Sequence, residues 1–105
     1  MIAHVTIPIF SSPTNPIGTS GGRIHLEHLP KIGESLAWNE LKKIGTSALV
    51  AALNTSRVDY IDMSPKIKSV DLVVGLDGIY LDSEAAAREI ALELENGFGL
   101  VYVDY

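Results

Sequence analysis

Residues 69–105 read SVDLVVGLDGIYLDSEAAAREIALELENGFGLVYVDY, and this stretch decides the fold. Val70, Leu72 and Val74 alternate with Asp71 and Val73, the period of a strand that buries one face. A second short strand, Ile79 to Asp82, follows Asp77-Gly78, whose glycine accepts the positive φ of a primed turn; the pair predicts a hairpin. Asp82 or Ser83 then caps a helix on which Ala86, Ala87, Ile90, Ala91 and Leu94 share one side. Asn96-Gly97 ends that helix through a left-handed glycine, with Phe98 packing back. Gly99 to Tyr105 alternates again and returns as a strand beneath the helix.

Working toward the N-terminus, Arg57 to Met63 and Ser69 to Leu76 read as strands. From an N-cap at Asn39, Leu41, Ile44, Ala48, Leu49, Ala52 and Leu53 recur at helical spacing on a helix ending near Asn54, with Trp38 as a core anchor on the same stripe. Gly45 marks a bend or a close helix-to-sheet contact within it. Ala3, Val5, Ile7 and Ile9 form an N-terminal strand in which Pro8, having no N–H to donate, favours an edge position. Ile24 and Leu26 define another strand, stopping near Pro30. Between them, residues 11–22 (SSPTNPIGTSGG) read as a flexible loop and a candidate binding loop.

The resulting order is strand, helix, strand, strand, helix, strand, preceded by one strand more. It predicts a single α+β domain over residues 1–105: a two-layer sandwich with a largely antiparallel sheet and two helices on one face. The order resembles that of the ferredoxin-like split βαβ unit with an extra N-terminal strand. An architecture shared by so many activities implies no function by itself.

A chain of 105 residues buries roughly 65% of its unfolded surface, enough for one core without staples. The absence of cysteine excludes disulfides, thiolate metal sites and thiol catalysis, and fits a reducing compartment. No apolar run reaches the ~20 residues that span a bilayer, and Met1-Ile2-Ala3-His4 lacks the basic start of a signal peptide; the expectation is a cytoplasmic protein without a membrane partner. The net charge of −5 is uneven: residues 1–56 carry +1 and residues 57–105 carry −6. From Asp71 onward Arg88 stands alone against eight acids, so phosphate is repelled and nucleic acid is not an expected partner. A basic protein patch is a better match, one that would be lost on changing Asp71, Asp82, Glu89 and Glu93 to lysine.

Two helices cover one side of such a sheet and leave the other open. Alternation places Tyr60, Val73, Tyr80, Leu100 and Tyr102 on that open face, among Asp71, Asp82 and Asp104, if Val101 and Val103 point to the helices. Tyrosines bury area at low rotamer entropy and keep a hydroxyl for the rim, so this set is the expected protein-binding surface and the expected homodimer contact. The function expected is therefore that of a small acidic interaction module, of regulator, inhibitor, immunity or decoy type. The alternative is a dimeric ferredoxin-like barrel enclosing a small apolar or aromatic ligand, with His25 or Tyr102 as its polar group and cofactor-independent catalysis open to it.

His4, His25 and Glu27 are the one combination of residue types suited to zinc or non-haem iron, although they lack a recognised ligand spacing; no metal or other cofactor is expected. Gly18-Thr19-Ser20-Gly21-Gly22 lacks the Walker lysine and leads into a strand, which argues against a nucleotide loop. No Gly-x-Ser-x-Gly and no Ser/His/acid arrangement is legible, so no catalytic residue is assigned. On the second helix, Leu92 lies opposite the apolar stripe.

Overall fold

The computed structural model describes residues 1–36, 47–63, 66 and 69–105. Two 11-residue strands, β1 (Ile2–Ser12) and β2 (Asn15–His25), form a long antiparallel hairpin around Pro13-Thr14. Helix α1 (Ser47–Thr55) follows, then β3 (Val58–Asp62), β4 (Leu72–Leu76), β5 (Ile79–Tyr80), α2 (Glu84–Phe98) and β6 (Val101–Asp104). The sheet order is β3-β4-β1-β2-β6, with β5 also pairing with β1. All contacts are antiparallel except those of β1 with β4 and β5.

The α+β, mostly antiparallel sheet with two helices is the expected class, but the extra strand is not peripheral. β1 is central, seated between β2 and β4, so Pro8 is not on an edge strand. Its tolerance has a local cause. The carbonyls of Ile2 and Phe10 accept from Asp71 and Leu81, so the even-numbered main-chain groups of β1 face β4 and β5. Pro8 would donate on that side, between the last residue paired with β4, Thr6, and the first paired with β5, Ile9. The missing N–H thus falls where the neighbouring strand is interrupted.

That interruption is Asp77-Gly78, which makes no hairpin: β4 and β5 do not pair with each other but follow one another along β1. Gly78 has φ +131°, and a Cβ there would lie 2.9 Å from the Phe10 ring. Asp77 Oδ1 accepts from Ser56 Oγ at 3.2 Å and from the Arg57 amide at 2.9 Å, fixing the jog to the turn between α1 and β3.

Residues 11–22 also depart from expectation, since all but Pro13 and Thr14 belong to strands. Their composition has a packing reason. Gly18, Ser20 and Gly22 face the helix layer, opposite Ile9, Ile7 and Val5, and room is needed there. A Cβ at Gly18 would come within 2.5 Å of the Tyr102 hydroxyl, and one at Gly22 within 2.6 Å of the Gly99 carbonyl oxygen. Ser20 is fully buried, and its Oγ has no hydrogen-bond partner among the described residues.

One core lies between sheet and helices: Ala3, Val5, Ile7 and Ile9 from β1, Leu72, Val74 and Leu76 from β4, Leu49 and Leu53 from α1, and Ala87, Ile90 and Leu94 from α2. The helix expected from Asn39, with Trp38, Leu41, Ile44 and Gly45, begins outside the described residues. The second helix starts where expected, Ser83 Oγ accepting from the Ala86 amide at 3.1 Å. It ends two residues beyond Gly97, at Gly99, which has φ +71° and donates toward Glu95 and Leu94. No helix among the described residues is long and apolar enough to cross a membrane.

Candidate binding face

The side of the sheet away from the helices is assembled row by row from strand registers, because opposed residues share a face. One row runs Asp62, Val73, His4, Arg23; the next runs Tyr60, Gly75, Thr6, Gly21, Val101. Pro8, Thr19 and Val103 form a third. At the far end Tyr80 stacks on Phe10, ring centroids 4.4 Å apart and planes inclined by 26°. Tyr105 closes that corner, its hydroxyl 2.7 Å from Thr19 Oγ1.

The second row has a distinct shape. Gly75 and Gly21 flank Thr6, making a trough bounded by Tyr60 and Val101. Gly18 and Gly22 are demanded by atoms that press on them from within this chain. Gly21 is not: a Cβ there would meet nothing closer than 3.6 Å. Glycine inside a strand costs conformational entropy and often marks a place where another backbone or a ligand approaches. Around the trough Tyr60 and Tyr80 remain 54% and 52% exposed, and Val101 and Val103 55% and 63% exposed.

Three of the residues expected on this face are on it: Tyr60, Val73 and Tyr80. Leu100, Tyr102 and Asp104 are not, and the face assignment of β6 is corrected by one residue. Its register pairs Tyr102 with Ser20 and Asp104 with Gly18, both on the helix side, while Val101 and Val103 point to the open side. The cause is the vacant space over Gly18 and Ser20, which admits the Tyr102 ring, and the burial of Leu100 under α2. Apolar content alone favoured the valines as the inward residues; the small residues of the facing strand decide otherwise.

On the helix side the Tyr102 hydroxyl donates between the Ile17 carbonyl oxygen (3.0 Å) and Asp104 Oδ1 (2.8 Å). Burial first, then the hydrogen bond to Asp104 and its charge, push the phenol up to about 12. Arg88 bridges Glu84 and Asp104 at 2.9 and 3.1 Å, tying α2 to β6. Asp71 lies at the end of the sheet, its Oδ2 accepting from the Ile2 amide at 2.8 Å, and Asp82 is exposed in the turn before α2. On α2 Glu89 is exposed and Glu93 half-buried, so the four acids expected to meet a basic partner are distributed over both layers.

His4 faces Arg23, and His25 faces Ile2, both on the open side. Glu27 lies beyond the end of β2 and lines a separate recess with His28, Leu29 and Glu34. Among the described residues no group of three His, Cys, Asp or Glu side chains is placed to hold a metal ion. No known protein family matches the chain, and no curated protein or solved structure matches it.

Proposed function

We propose that this protein acts by binding another protein through the open face of its sheet. The observation that carries the reading is the trough of Gly75, Thr6 and Gly21, ringed by exposed Tyr60, Tyr80, Val101 and Val103. A strand glycine that nothing inside the chain requires, as at Gly21, makes sense where an outside backbone lies against it. Aromatic and β-branched side chains around a polar-capable centre suit a protein interface. The charge favours a protein over nucleic acid, because one face of α2 and the C-terminal half carry the acidic excess. Arg23 at one corner and Asp62 at the other place charges of both signs at the border of this face.

A photo-crosslinking residue placed at Val73 or Tyr80 in the protein's own cells tests this, with Glu93 on α2 as the control position. The expected result is a discrete protein adduct from the sheet positions and not from Glu93. Adducts from Glu93 alone, or none from the sheet in a protein that is folded and expressed, would sink the reading. A small-molecule mass of a few hundred daltons in native mass spectrometry would instead favour a ligand between sheet faces. Tyr102, being on the helix side, could not then supply its polar group; His25 could.

A further inference from the structure

We infer that β6 is a self-association edge, and that a second copy of this chain pairs with it antiparallel about Val103 to join two sheets into one. The two outer strands of the sheet are β3 and β6, and they differ. The edge of β3 is partly closed: the Gly33 amide donates to Val58, and the Val58 amide to Glu34. Among the described residues nothing pairs with the outer side of β6. The Tyr105 amide donates inward to Ile17, so Val101, Val103 and Tyr105 turn their main-chain groups toward β2. By alternation Tyr102 and Asp104 turn theirs outward, and unpaired edge groups of this kind are a template for another strand.

The outward groups are self-complementary. With Tyr102 opposite Asp104 of the second copy, each pair exchanges two N–H to carbonyl bonds, and the two-fold axis passes through Val103. Val103 then meets its own counterpart, and Val101 meets Tyr105, so the exposed valines of the open face become cross-strand pairs. On the helix side the groove between α2 and β6 is lined by Arg88, Leu92, Glu95 and Tyr102, and Leu92 is 56% exposed. Arg88 marks the Asp104 end of this groove through its salt bridge, and Glu95 lies two turns away toward the start of β6. The same axis brings Arg88 of each copy to the Glu95 end of the other. Charge, ladder and apolar side chains therefore agree on one arrangement, and this occupant is a second copy and not an unrelated strand.

The inference goes beyond the open-face reading and can fail separately from it. Sedimentation of the intact protein over a wide concentration range is expected to show a monomer–dimer equilibrium with a dissociation constant on the order of micromolar, since a four-residue ladder is short. Asp104→Pro deletes an outward N–H without removing a β2 ladder bond, but it also removes the carboxylate that holds Tyr102 and Arg88. Asp104→Ala is therefore its control, and the proline is expected to weaken the dimer at least about tenfold beyond the alanine. Arg88→Glu and Glu95→Arg are each expected to weaken it by about tenfold, and the double exchange to restore it. Tyr60→Lys and Tyr80→Lys leave it unchanged. A monomer at every concentration overturns the inference. So does a dimer that survives Asp104→Pro and both single charge reversals, or one abolished by the tyrosine changes in a folded protein, which would move the contact to the open face.

Discussion

Three glycines of β2 differ in what surrounds them, and that difference is measurable. Gly18→Ala and Gly22→Ala drive a methyl group against backbone carbonyls of Val103 and Gly99 and are expected to cost about 1–3 kcal/mol each. Gly21→Ala meets only ordinary contacts and is expected to stabilise by about 0.5 kcal/mol, through the more restricted unfolded chain. Denaturant unfolding of the three variants checks the contrast, and a loss at Gly21 equal to the others would mean the trough is already filled. Tyr102 offers a second test. Its folded phenol holds its proton more tightly than an unfolded tyrosine, at about 10. The stability this gives is complete below about pH 10 and disappears as pH rises through about 12. Following phenolate absorbance, one of the four tyrosines is expected to ionise late and together with alkaline unfolding, and Tyr102→Phe to remove that late step.

Elements were legible where their own residues carry the instruction. Helix α2 is one: Ser83 caps it and the Ala87, Ile90, Ala91, Leu94 stripe packs inward as the spacing dictates. In strand β2 only the end around Ile24 alternates legibly; the stretch before it is the opposite case, because its inward positions are Gly18, Ser20 and Gly22, and the atoms against the two glycines come from β6 and the turn before it. Alternation of apolar and polar side chains is silent for such a stretch. The same hidden dependence reversed the faces of β6, and with it three of the eight expected site residues: Tyr60, Val73 and Tyr80 were readable from their own strands, Tyr102 and Asp104 only from Ser20 and Gly18 opposite. The β4–β5 jog likewise depends on a distant partner. Asp77 holds it by accepting from the buried Ser56 hydroxyl and the Arg57 amide. Asp77→Ala leaves both donors unpaired and is expected to lower stability by about 1–3 kcal/mol, whereas Asp77→Asn keeps an acceptor and is expected to lose less. Equal losses in thermal unfolding would show that the carboxylate charge, not the acceptor geometry, sets the jog.

At the scale of the molecule, the two layers present surfaces of different character. The acidic side chains of α2 face away from the helix-free side of the sheet, where charges of both signs border an aromatic and aliphatic surface. An open face and a free edge are different kinds of surface, one suited to side-chain contact and the other to main-chain pairing, so a protein built this way has room for a partner and a copy of itself together. The central position of β1 has a further consequence, which concerns time. Only the β1–β2 and β3–β4 pairs join strands that follow one another in sequence; Ala3 must wait for Leu72, Ile9 for Ile79 and Gly18 for Asp104. Such distant closures make folding slow. During that interval the hairpin exists with both of its flanks unclaimed, so the half-finished chain offers neighbouring molecules two sticky borders where the finished one offers a single short strand. Refolding yield is therefore a contest between a first-order search within one chain and a second-order encounter between chains, and dilution favours the first.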